Sequence, residues 1–99
     1  MKILCVCSHG NVRSVALAYQ LKTIYNHEAI AIGAKEVSPK TFNMLEKWAD
    51  KVIWLDKWPK EWKLNKKYSI VNVGEDVWHN PFSQELQHKL MKNLKYLNL

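Results

Sequence analysis

Ninety-nine residues, 47% apolar and 24% charged, suit one small globular domain with a single core. No apolar run reaches the roughly 18–20 residues of a membrane span, and the first apolar stretch, about five residues, is too short for a signal-peptide core, so a cytoplasmic protein is expected. The formal charge of +6 favours anionic partners in general: phosphates, nucleic acid or acidic proteins.

The elements follow in chain order. "KILCVC" is an unalternating apolar run ending near a Gly-Asn pair, as in a strand buried on both faces of a parallel sheet. "RSVALAYQLKTIY" places Val15, Leu17, Ala18, Leu21, Ile24 and Tyr25 at helical spacing. "EAIAIGA" reads as a second strand. "SPKTFNMLEKWA" opens with an N-cap serine and a proline at the first helical position, then sets Phe42, Leu45, Trp48 and Ala49 on one face. "DKVIWLD" is a third strand, "PKEWKLN" one or two helical turns and "YSIVNV" a fourth strand. After the loop "GEDVWHNPF", a last helix over residues 83–97 carries Leu86, Leu90, Leu94 and Leu97 toward the core. Trp48 and Trp54 fall inside elements and read as core residues. The lysines at 57, 60, 63, 66 and 67 form a modest cluster with Trp58 and Trp62. Bases could stack on those rings, but no nucleic-acid motif accompanies them, and a solvated face is the expectation.

Strands alternating with helices give an α/β fold with right-handed crossovers and a parallel sheet. Ligands of such sheets bind at the carboxyl ends of the strands, at the switch point. The loop "CSHGNVRS" leaves the first strand there and opens the first helix. Arg13 is the only arginine among fifteen basic residues, and it stands six residues after Cys7. If the backbone from Ser8 through His9, Gly10, Asn11 and Val12 to Arg13 curls around a point above the Cys7 sulfur, its amides converge on an anion. Gly10 and Asn11 suit the left-handed conformations of such a curl. The same field stabilises a thiolate, and a thiolate at the base of a phosphate nest is a nucleophile aimed at phosphorus. A guanidinium holds two equatorial phosphoryl oxygens at once, which an ammonium cannot. The Ser14 hydroxyl can donate to the sulfur.

Cys-x5-Arg-Ser at the end of a first strand resembles the phosphate loop of protein tyrosine phosphatases, and its N-terminal place is that of the low-molecular-weight class. The likeness extends through "VALAYQL", "SPKTFNMLEKWADKVIWLD" and "GEDVWHNPF". It implies one domain over residues 1–99, a three-layer sandwich on a four-stranded parallel sheet of order 2-1-3-4. It implies a phosphatase that hydrolyses a phosphomonoester, protein phosphotyrosine or a small ester, through a cysteinyl-phosphate intermediate. Cys7 is then the nucleophile, Arg13 the phosphate clamp and Ser14 the thiolate partner, with inorganic phosphate as product and no metal or other cofactor. The chain departs from the family in three ways. The family's Gly-Asn stands at the second and third places after the cysteine, and here at the third and fourth. The family is roughly half as long again. Its general acid is an aspartate before a proline, where this chain has Asn80 before Pro81. Asp76, four residues earlier, is the nearest substitute, and it also fits a turn after Gly74. His79 and Asp56 are the other candidates. Trp78 and Phe82 either line the entrance or anchor the loop to the core.

Other readings follow from the same residues. Cys5, Cys7 and His9 lie too close for a metal site with no second cluster, and Cys5 reads as a buried core thiol. Two cysteines two residues apart give free thiols rather than a disulfide framework. A phosphocysteine carrier resembling the cytoplasmic B component of a sugar phosphotransferase system shares the topology but lacks an arginine at the Arg13 place. An arsenate reductase of similar fold needs a relay of further cysteines. A non-catalytic phosphate-binding module is the reading if the acid is missing.

Overall fold

The first strand, β1 (Lys2–Cys7), is apolar throughout because both of its faces are covered. Ile3, Cys5 and Cys7 point into one hydrophobic cluster, while Leu4 and Val6 point into another. The period-2 alternation of a strand divides them. The structure, a computed structural model, describes residues 1–9, 12–55, 68–71, 73 and 80–95. Within these residues, α1 (Arg13–Thr23), β2 (Glu28–Gly33), α2 (Pro39–Trp48), β3 (Lys51–Trp54), β4 (Tyr68–Ile70) and α3 (Gln84–Leu94) follow in order.

The four strands form one sheet of order β2-β1-β3-β4, with every pairing parallel. Leu17, Leu21, Leu86, Leu90 and Leu94 of α1 and α3 join the cluster on the Cys5 face. Phe42 of α2 joins Leu4, Val52 and Trp54 on the other. This is the parallel α/β sheet expected from the alternating elements, with the three layers and the 2-1-3-4 order that the resemblance implies. The chain moves from β1 outward to β2, then returns across β1 to β3. Direction therefore reverses between β1 and β3, and their carboxyl ends flank the switch point.

Local chemistry sets the ends of the elements. The Ser38 hydroxyl accepts from the Thr41 amide at 3.2 Å, with Pro39 at the first helical position, and so starts α2. Asn26, with φ of 58°, takes the left-handed turn that carries α1 into β2. Because α1 stops at Thr23, Ile24 lies beyond its buried face and is 54% exposed, contrary to the helical spacing. β4 is shorter than "YSIVNV", although the Val71 amide still donates to the Trp54 carbonyl at 2.9 Å. Trp54 is fully buried and Trp48 packs partly into the α2 cluster. Glu46 and Gln20 are buried polar residues that the spacing does not reveal, and Glu46 accepts a hydrogen bond from the Tyr68 hydroxyl. The "PKEWKLN" turns, the lysine cluster and Leu97 lie outside the described residues.

Candidate active site

Cys7 is the last residue of β1, and its side chain is buried. Its Sγ lies 3.2 Å from Ser14 Oγ, a hydrogen bond across seven residues of sequence. Ser14 is the second residue of α1 and also buried. The intervening loop therefore turns the chain back so that the first turn of α1 stands over the end of β1. Both feet of the loop are fixed. The Ala34 amide donates to the Cys7 carbonyl at 2.7 Å and the Lys35 amide to the Ser8 carbonyl at 2.8 Å, continuing the β2 pairing past the strand. On the other side the Ala16 amide donates to the Val12 carbonyl at 2.8 Å, the first turn of the helix.

Arg13, 2% exposed, is folded inward rather than extended into solvent. Its Nη1 donates to the Leu55 carbonyl at 3.1 Å, and its Nη2 to Ser8 Oγ at 3.4 Å. Leu55 directly follows β3, so the guanidinium lies at the switch point between β1 and β3. The fork geometry of arginine makes two such bonds from one group. At the outer edge, His9 Nδ1 lies 3.2 Å from Glu36 Oε1, which joins the loop to the turn after β2; both side chains are exposed.

Cys5, two residues before Cys7 on the same face, is fully buried. Burial pushes its thiol well above the ordinary range, the neighbouring Cys7 adds to this, and Lys22 opposes it. Cys5 is thus held as a neutral core thiol.

The structure brings together Cys7, Ser8, Arg13 and Ser14, with Val12 as the residue that caps α1. Gly10, Asn11, Asp56, Asp76, Trp78 and His79 lie outside the described residues. Phe82 is 56% exposed and meets Tyr19 edge to face, with ring centroids 5.0 Å apart. Tyr19 is six residues past Arg13, which is about 9 Å of helix rise, so this contact is on the flank of α1. Asn80 acts as a turn former. Its Oδ1 accepts from the Phe82 amide at 2.8 Å and its carbonyl from the Ser83 amide at 3.1 Å. Two parts of the site were not read from the sequence. The Leu55 carbonyl is a backbone atom and carries no residue-type signal. Glu36 could have been found only by noting how short the turn after "EAIAIGA" is. Among the described residues, no group of three or more His, Cys, Asp or Glu could hold a metal ion. Nor is any helix among them long and apolar enough to cross a membrane.

A thioredoxin-dependent arsenate reductase from Corynebacterium glutamicum shares this architecture, with a TM-score of 0.55 at 15% sequence identity. The fold is low-molecular-weight-phosphatase-like. The match covers 98% of this chain and 60% of that one, so this chain spans less than two thirds of the reductase's length. At this identity the likeness establishes the fold alone. The sequence matches no family model and no curated protein.

Proposed function

We propose that the chain is a cysteine-dependent phosphomonoesterase, with protein phosphotyrosine as the favoured substrate. The observation that carries this reading is the Cys7 Sγ–Ser14 Oγ contact of 3.2 Å at the end of the central strand, with the buried Arg13 guanidinium bonded to Ser8, the residue after Cys7. In the first step the Cys7 thiolate attacks phosphorus, an S–P bond forms and the ester P–O bond breaks. The leaving oxygen takes its proton from Asp76, the carboxyl group that the sequence offers in the late loop. Charge on the equatorial oxygens is met by Arg13 and by the first-turn amides of α1. In the second step water attacks phosphorus, gives its proton to the Asp76 carboxylate, and the S–P bond breaks. The Ser14 hydroxyl donates to the departing thiolate, which lowers its energy as a leaving group.

The reductase named by the structural likeness raises arsenate reduction as a second reading. That reaction oxidises thiols: after sulfur bonds to arsenic, another thiol must attack the sulfur to release arsenite. The chain has only Cys5 besides Cys7, and Cys5 is buried and held neutral. Ester hydrolysis needs one sulfur and fits the residues better. A carrier would keep the phosphoryl group on Cys7 and pass it on, and would not need Arg13.

Hydrolysis of p-nitrophenyl phosphate, with vanadate as inhibitor, tests the reading. The chain turns over the ester, vanadate blocks it, and Cys7→Ser abolishes turnover. Undiminished hydrolysis by Cys7→Ser refutes the mechanism. Thioredoxin-dependent consumption of arsenate without ester hydrolysis would favour the reductase instead.

A further inference from the structure

Ser8 directly follows Cys7 and is half-buried. Its backbone is held without help from its side chain, because its carbonyl accepts from the Lys35 amide at 2.8 Å. Its hydroxyl oxygen lies instead 3.4 Å from Arg13 Nη2, which donates to it. Among the described residues this is the one hydrogen bond of that hydroxyl. The other terminal nitrogen of the same guanidinium donates to the Leu55 carbonyl at 3.1 Å. A planar group held at both terminal nitrogens keeps its plane, whereas one held at a single nitrogen can turn about that bond. The two acceptors stand on different elements: Ser8 continues β1, and Leu55 follows β3. Lys35, in the turn after β2, fixes Ser8 in its turn. A chain of contacts thus runs from the end of β2 through Ser8 and Arg13 to the end of β3, across the switch point. The loop backbone does not need a hydroxyl at residue 8, since alanine would keep the bond to Lys35.

We propose that Ser8 is a positioning residue, whose hydroxyl oxygen sets the plane of the Arg13 fork. The proposal rests on the phosphatase reading, in which that fork meets the oxygens of the phosphoryl group. Two oxygens are met at once only when the guanidinium plane is turned toward both. Leu55 supplies one fixed point through a backbone atom, which no side-chain substitution removes. Ser8 supplies another through its side chain, so residue 8 is where the sequence controls the orientation. The bond to Ser8 is the longer of the two, as for a contact that tightens when substrate draws the guanidinium into place. A clamp misplaced by about 1 Å loses up to about 10²-fold in rate.

Three variants isolate the hydroxyl. Ser8→Thr keeps the acceptor, Ser8→Val has the shape of that threonine with a methyl group in place of the oxygen, and Ser8→Ala removes the acceptor without adding bulk. Circular dichroism identifies those that fold. On p-nitrophenyl phosphate we expect kcat/KM to fall about tenfold in Ser8→Ala and Ser8→Val and by less than about threefold in Ser8→Thr. In an Arg13→Lys background Ser8→Ala costs less than about a further twofold, because the fork it orients is gone. Equal losses in the threonine and valine variants, or the same Ser8→Ala factor in both backgrounds, overturn the proposal. Arg13 is the only arginine in the chain, so nitrogen NMR of its guanidinium gives one pair of terminal-nitrogen signals. Bonds at both nitrogens slow rotation about Nε–Cζ, so the two signals stay separate in the unmodified chain and merge in Ser8→Ala. Merged signals in the unmodified chain, or separate ones in Ser8→Ala, overturn the proposal whatever the turnover. If the unmodified chain hydrolyses no ester, the phosphatase reading fails, and merging in Ser8→Ala still shows that Ser8 holds the fork. If Ser8→Ala does not fold, the threonine and valine pair decides the matter by both measurements.

Discussion

Arg13 bonds to the end of one strand and to the start of the loop above another. Its charge is therefore delivered with a direction. Lysine at this position keeps the charge but offers one compact ammonium in place of a planar fork. Arg13→Lys is expected to lower kcat/KM on p-nitrophenyl phosphate by about 10²-fold or more while leaving the circular dichroism spectrum unchanged. Turnover near the unmodified rate would show that directed bonding at Arg13 does not matter. Among single residues, the grouping of Cys7, Arg13 and Ser14 was the easiest to read. A cysteine and a lone arginine at fixed spacing around a strand-to-helix turn have few reasons to occur together. Gln20 was invisible because it occupies a helical position that could equally be exposed. The inward fold of Arg13 was equally hidden, since its partner is the Leu55 carbonyl, which any residue type would supply.

The elements were legible where apolar spacing and end signals agree. α2 is the clearest case: Ser38 and Pro39 mark its start, and Phe42, Leu45, Trp48 and Ala49 set its buried face. The cap is testable by itself. Ser38→Ala removes the acceptor of the Thr41 amide and should cost about 1 kcal/mol, or about 4–8 °C in Tm for a domain of this size. Ester turnover at 25 °C should be unaffected, because among the described residues the Ser38 hydroxyl bonds to Thr41 and to no residue of the candidate site. A Tm unchanged within a degree would mean that α2 is held by packing alone. Element ends were less legible. Ile24 continues the apolar spacing of α1, yet the helix has already given way to the Asn26 turn. The short extent of β4 follows from its neighbours: Val52, Ile53 and Trp54 of β3 give it three partners.

At the scale of the whole molecule, β1 lies between β2 and β3 and carries the core on both faces. Cys5 at its centre makes stability depend on pH in one direction. An ordinary thiol ionises near 9.0, whereas burial keeps Cys5 protonated in the folded chain at that pH. Above that value the unfolded chain binds fewer protons than the folded one, so stability falls as pH rises, by about 1.4 kcal/mol per unit. Below it the thiol is protonated in both states and contributes no slope. The drop in urea midpoint between pH 8 and pH 10 should therefore be larger for the unmodified chain than for Cys5→Ala. Equal drops would show that Cys5 ionises in the folded chain as readily as in the unfolded one. The sulfur of Cys7, the nucleophile of the proposed reaction, hangs from this same strand, two residues further on. Strands paired on both sides open only when the whole domain opens. A molecule that frays at its termini or outer strands keeps Cys7 seated, and a molecule that unseats it has already come apart. Ageing or partial damage would then show as a shrinking number of fully competent molecules rather than as a population of slow ones.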